Sequence, residues 1–181
     1  MPTVETLVRP IANSYWVIPG RFLAGEYPGM TPRRPSLENM HALLNAGVTH
    51  FVDLTERGAN KPYTYDLVKE ARRRGVVVGY ERHAIIDMDI PTSPGQMTGI
   101  LDSIDNAIDA GETVYVHCLA GVGRTGTTVG CWLVRHGHTG EDALALIAEW
   151  WQGAEKSARI LRTPQTDEQH DYVRNWGEPT A

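Results

Sequence analysis

Thr113-Val-Tyr-Val-His-Cys-Leu-Ala-Gly-Val-Gly-Arg-Thr-Gly126 decides the fold. Thr113–His117 is short, apolar and rich in β-branched and aromatic residues, the pattern of a strand buried on both faces. A loop bearing Gly121 and Gly123 follows, and a helical pattern runs over Gly123–His136. Strand, glycine loop and helix in that order build an anion site. The first N–H groups of a helix have no partner inside it and sit at the positive end of its dipole.

Three chemistries compete for the stretch. Gly121-Val-Gly123-Arg-Thr-Gly126 matches the letters of the dinucleotide fingerprint G-x-G-x-x-G. That fingerprint also needs a second strand closing on an acidic residue about 20 positions later. Glu141 and Asp142 stand near that distance, but they open a helix and no strand precedes them. A Walker A loop is excluded, because Cys118 occupies its first glycine position and Arg124 follows Gly123. The second chemistry is a cysteine nucleophile in a phosphate loop, Cys118-x5-Arg124. Leu119, Ala120, Gly121, Val122 and Gly123 would then turn their N–H groups inward as a concave nest. Arg124 would bind two phosphate oxygens with its planar fork. The same positive field favours the Cys118 thiolate over the thiol, so the nucleophile needs no neighbouring base. The third is a structural cysteine that ends a core strand before a capping turn.

Outward from this stretch, Tyr15–Ile18, Arg21–Ala24, Thr49–Leu54 and Val76–Glu81 also read as strands, the last two buried on both faces. Helical patterns cover Ser36–Ala46, Tyr63–Arg74 and Pro94–Ala110, each followed by a glycine at the position that ends helices. Ser93 is placed to cap the third, with Pro94 in its first turn. Met97, Ile100, Leu101, Ile104 and Ile108 make one apolar stripe along it. Two more helices are expected over Glu141–Gln152 and Asp167–Trp176. Strands alternating with helices predict a three-layer α/β fold, with a mostly parallel sheet of four to five strands flanked by helices. Ligands in such sheets gather at the carboxyl ends of the strands.

No linker or repeat divides the 181 residues, so one domain over 1–181 is expected. The N-terminal strands in 1–35 would pack onto the core, with the catalytic half at about 76–176. A net charge of −5 argues against a general nucleic-acid binder or a polybasic membrane adsorber. Two cysteines, Cys118 and Cys131, exclude a disulfide scaffold, and the neighbours of Cys131 suggest a core position. The start, Met-Pro-Thr-Val-Glu-Thr, lacks the pattern of a signal peptide, and no apolar run is long enough for a membrane helix. A cytoplasmic protein without integral membrane contact is the expectation; its oligomeric state stays open. The histidines form no metal-binding spacing, so neither metal nor cofactor is expected.

His117-Cys-Leu-Ala-Gly-Val-Gly-Arg-Thr125 resembles the signature H-C-x-x-G-x-x-R-[ST] of the cysteine-dependent protein tyrosine phosphatase superfamily. The chain lacks the Lys-Asn-Arg-Tyr recognition loop of classical members, so it is more similar to the compact dual-specificity branch. The resemblance is strong over Val76–Trp176, and Asp53-Leu54-Thr55 resembles a strand end common in that branch. It implies two steps: the thiolate takes the phosphoryl group while an acid protonates the leaving oxygen, and water then hydrolyses the phosphocysteine. It places the acid on a loop upstream of the signature, a few positions before a proline. Ile85-Ile-Asp87-Met-Asp89-Ile-Pro91 is that loop. Asp87 stands four before Pro91 and is favoured; Asp89, two before it, is the alternative and could equally be helix-entry charge. The resemblance also implies that Thr125 bonds the sulfur, and that His117 biases the cysteine unless it is only a satisfied core histidine. Pro164-Gln165-Thr-Asp-Glu-Gln169 resembles a water-positioning glutamine loop with Gln165 as its first glutamine, although Thr166 or Asp167 could simply cap the last helix.

The expected partner is a phosphorylated protein or small phosphate ester. The variable loop positions Leu119, Ala120 and Val122 carry no lysine for a second phosphate. Phosphotyrosine, with or without phosphoserine or phosphothreonine, is therefore preferred over a phosphoinositide or other small phosphate monoester. Arg57, Lys61, Arg82 and His83 are candidates for the rim, or simply solvated charges. A non-catalytic phospho-binding module is the remaining alternative, though binding alone needs neither a thiolate nor an acid.

Overall fold

The computed structural model describes residues 8–179, so the Met1–Thr6 reading and the first seven residues of the N-terminal segment lie outside it. Five strands form one sheet: β1 (Ser14–Ile18), β2 (Phe22–Gly25), β3 (His50–Asp53), β4 (Gly79–Arg82) and β5 (Val114–His117), in the order β1-β2-β5-β3-β4. Only β1, paired with β2, runs antiparallel. The helices are α1 (Glu38–Asn45), α2 (Thr64–Arg73), α3 (Pro94–Asp109), α4 (Gly123–Arg135), α5 (Gly140–Gln152) and α6 (Asp167–Arg174), with a 3-10 turn at Glu155–Ala158.

The period-2 geometry of the strands sorts their side chains into two cores. Phe22, Ala24, Val52, Val114 and Val116 face a cluster closed by α3, α4, α5 and α6. Leu23, Phe51 and Tyr115 face a second cluster with Met40 and Leu43 of α1 and Leu67 of α2. This is the expected three-layer arrangement. The capping expectations for α3 hold: Ser93 accepts the Gln96 N–H, and Pro94 is the first helical residue. Gly47, Gly75 and Gly111 all take positive φ just past their helices. Along α3 the buried stripe is Met97, Ile100, Leu101, Ile104 and Ala107; Ile108 is only half-buried, because the helical drift turns Ala107 to the core.

The fourth strand departs from expectation. It begins at Gly79 rather than Val76, and it is an edge strand with one face open. The Val76 N–H closes the end of α2 on Ala71 O, and Val77 is 90% exposed. Pairing starts only where the Gly79 N–H reaches Thr49 O at 2.8 Å. The last helix ends at Arg174, two residues early, and no described helix is long and apolar enough to cross a membrane.

The register brings Gly25, His117, Asp53 and Arg82 side by side at the carboxyl ends of β2, β5, β3 and β4. The loops leaving those four residues build the site.

Candidate active site

Cys118 follows the last residue of β5 and is 3% exposed, at the base of the loop that leads into α4. Its sulfur accepts the Gly121 N–H at 3.3 Å. The N–H groups of Leu119, Ala120, Val122, Gly123 and Arg124 have no hydrogen-bond partner among the described residues. Backbone donors left unpaired in succession at a helix start form an anion nest. The turn depends on Gly121, which has φ +78°; a Cβ there would sit 2.6 Å from Gly25 C and 2.7 Å from Glu26 N. The loop is pinned on that side by the Tyr27 N–H on Leu119 O at 3.1 Å. Lys156 Nζ reaches Ala120 O at 3.3 Å while it pairs with buried Glu26 at 2.6 Å.

Arg124 is 3% exposed, and its guanidinium faces two carboxylates. Nη1 donates to Glu56 Oε2 at 3.0 Å and to Ile85 O at 3.0 Å. Nη2 lies 2.8 Å from Asp87 Oδ1, and Nε is buried with no partner among the described residues. Asp87 is largely exposed and so can reach a group bound above the nest. Asp89 is not brought to Arg124. Its carboxylate accepts the N–H of Ile90, its own neighbour, at 2.8 Å. Between the two, Met88 takes φ +66°, a left-handed turn that points Asp87 and Asp89 to different sides.

His117 is fully buried. Burial holds its ring below the ordinary 6.5, so it is neutral. Tyr63, whose phenol burial raises well above 10.0, therefore donates to Nε2 at 2.7 Å. The remaining proton sits on Nδ1, which faces Cys118 O at 3.2 Å. The ring thus fixes the main chain of the nucleophile. Asp53 is fully buried beside it and accepts from Thr55 N, Thr55 Oγ1, Tyr80 Oη and Arg82 Nη2. Burial opposes its charge, but the attraction of the neighbouring His117 ring, followed by the bonds from Thr55 and Tyr80, outweighs it and holds its pKa below 3.8. Arg82 is therefore a strut on Asp53 rather than a rim residue, and His83 pairs with Glu81.

The Thr125 hydroxyl donates to Gly25 O at 3.4 Å, whereas the sulfur takes the Gly121 N–H. Gln165 is partly exposed and places its main-chain N–H on Gln169 Oε1 at 3.1 Å. Thr166 does cap α6, in a reciprocal box with Gln169. No group of three or more metal-ligating side chains occurs among the described residues.

Two contributors escaped sequence reasoning. Glu56 joins the Arg124 guanidinium to the loop of Asp87, whose N–H lies 3.4 Å from Glu56 Oε1. Its position three residues past Asp53, at a strand's carboxyl end, was the available signal. Gln169 is fully buried and donates to Asp89 O at 3.0 Å. Its side chain presses on Gly123, where a Cβ would meet it at 2.9 Å. The Thr166-x-x-Gln169 capping pattern was its signal.

Comparison with known proteins agrees with this geometry. The family model "PTP-SAK: Swiss Army Knife protein, DSP-PTPase phosphatase domain" matches residues 11–170. The mouse dual specificity protein phosphatase CDC14B is 32% identical over 129 residues, which is 67% of this chain but 24% of the relative. The chain therefore spans about a quarter of that relative's length. Among solved structures, Tk-PTP in its active form superposes with a TM-score of 0.63 at 25% identity, covering 90% of this chain and 94% of its own. TpbA of P. aeruginosa shares the fold at 15% identity with a TM-score of 0.62, over 92% and 91% of the two chains.

Proposed function

The chain belongs to the DSP-PTPase family, and we propose that it hydrolyses phosphate monoesters through a phosphocysteine on Cys118. One observation carries the reading: the carboxylate of Asp87 sits on the guanidinium of Arg124, at the far end of the loop of unpaired main-chain donors that the buried Cys118 opens. The phosphoryl oxygens take the nest and the Nε/Nη2 edge of Arg124, while Glu56 and Ile85 O hold Nη1.

The Cys118 thiolate attacks phosphorus, forming the S–P bond as the P–O bond to the leaving group breaks. Asp87 gives its proton to the leaving oxygen. In the second step Asp87 takes a proton from water, the water oxygen bonds phosphorus, the S–P bond breaks and phosphate leaves with the thiolate restored. Thr125 follows Arg124 and donates to Gly25 O at the side of the loop; in this reading it supports the loop. Gln169 ties the Asp89 main chain to α6 and accepts the Gln165 N–H; in this reading Gln165 remains the candidate to position the hydrolytic water.

Phosphotyrosine is the preferred substrate, with or without phosphoserine or phosphothreonine. The nest positions carry no cation, and the nearby Lys156 is committed to Glu26. The fold neighbour TpbA forms a solved complex with pTyr. Both cysteines are free, which suits a reducing cytoplasm, and we take the chain as one phosphatase domain. Turnover of p-nitrophenyl phosphate, abolished by Cys118→Ser with oxyanion binding retained, tests the reading. Appreciable activity in that variant would require another nucleophile, and no turnover by the native protein would leave a phospho-binding module.

A further inference from the structure

Beside the nest the loop after β2 and the loop after β3 enclose a groove of about 640 Å³. Both loops are tied to the site. The Tyr27 N–H bonds Leu119 O, the Tyr27 hydroxyl bonds Lys61 O at 2.7 Å, and Glu56 holds Arg124. The walls of the groove are therefore bonded to the phosphate loop and to its arginine. Met30 and Pro35 supply an apolar wall, and Asn60 and Lys61 line the other side. The Asn60 Nδ2 is buried and has no partner among the described residues. A buried amide donor left unpaired loses its hydration with nothing in return unless an acceptor arrives. Arg33 and Arg57, in the same two loops, are exposed together with Lys61, and none of the three pairs with a carboxylate among the described residues. In a chain of net charge −5, an uncompensated Lys61 in the groove lining, with Arg33 and Arg57 beside lining residues in the same two loops, is a local reversal of sign.

We propose that this groove binds an acidic peptide segment flanking the phosphorylated residue of a protein substrate. The inference deepens the phosphatase reading and rests on it for the place of the phosphate. The Asn60 amide takes a peptide carbonyl, Met30 and Pro35 take an apolar side chain, and Arg33, Arg57 and Lys61 face carboxylates on either side of it. A lipid headgroup would satisfy the cations and the amide donor but would leave the apolar wall without use, so a peptide is the better fit.

The test titrates Cys118→Ser protein with fluorescent phosphotyrosine peptides that carry Asp or Glu at two to four positions on either side, against matched neutral peptides and phosphoinositide-containing vesicles. Tighter binding of the acidic peptide by about tenfold, lost in Arg33→Glu/Lys61→Glu and weakened by salt, is the expected result. Asn60→Ala should weaken both peptides about equally. Equal affinity for acidic and neutral peptides overturns the proposal, and so does charge-reversal-sensitive binding of vesicles without peptide preference. Native protein assayed on the same peptides separates the two readings. Hydrolysis indifferent to flanking charge sinks the groove alone, whereas charge-selective binding without hydrolysis sinks the phosphatase alone.

Discussion

Glu56 Oε2 lies 3.0 Å from Arg124 Nη1 and leaves Nη2 to Asp87. A guanidinium with five donors in a fixed plane is oriented by whichever end is held. Glu56 and Ile85 O hold Nη1, so the Nε/Nη2 edge is the one left for a phosphoryl group. Glu56→Ala should therefore lower kcat/KM on p-nitrophenyl phosphate by about tenfold to a hundredfold, with little change in thermal stability. Unchanged steady-state kinetics in that variant would show that Arg124 is aimed by the loop alone.

Asp87 and Asp89 are separated by two positions and by different partners. Asp87→Asn should cut turnover of an ester with a poor leaving group by about 10²–10⁴-fold, and affect an ester with a good leaving group far less. Asp89→Asn should change both modestly. A leaving-group-dependent loss at Asp89 instead would transfer the acid role to it.

The two loop glycines differ in what surrounds them. At Gly121 a side chain would meet main-chain atoms of Gly25 and Glu26 from a left-handed backbone, and neither can move aside. At Gly123 it would meet the end of the Gln169 side chain. Gly121→Ala should thus cost more stability and nearly all activity, while Gly123→Ala should be the milder variant and be eased further by Gln169→Ala. Thermal unfolding and oxyanion titration of the three proteins would reveal the opposite order if the nest were loosely held.

Acid should unfold the protein in two windows. Above pH 6.5 His117 is neutral in both states and contributes no pH dependence. Below 6.5 the unfolded chain takes a proton that the buried ring refuses, so stability falls until the lowered native pKa is passed. The loss is about 1.4 kcal/mol for each unit of depression. Asp53 acts lower: its contribution is complete above 3.8 and disappears as pH falls through its reduced native value. Melting curves of His117→Asn should show a flatter decline between pH 7 and 5 than the native protein. An equal slope would mean the ring titrates freely.

Local chemistry was legible because it is written in neighbouring residues. The strand–loop–helix order at Cys118, the cap at Ser93 and the helix-ending glycines all follow from rules that span a few positions. The choice of Asp87 over Asp89 came from the resemblance and its spacing to Pro91; the structure sets Asp87 on Arg124, and its role as the acid is a proposal. What stayed hidden depends on register across the sheet. Val76 looked like a strand residue, yet it closes α2, because pairing with β3 begins only at Gly79. Glu56 and Arg124 are 68 positions apart and meet because β3 and β5 are adjacent. Arg82 looked like a rim cation until the pairing of β3 with β4 set it on Asp53.

The close approach of Gly121 to Gly25 and Glu26 gives the end of β2 a part in shaping the nucleophile's turn. A truncated fragment beginning near Val76 would keep Cys118, Arg124, Asp87 and every other letter of the signature. It would lack the wall against which residues 119–123 are moulded, as well as the carboxylate that aims the arginine. Such a piece, expressed alone, would carry the whole motif and bind no oxyanion.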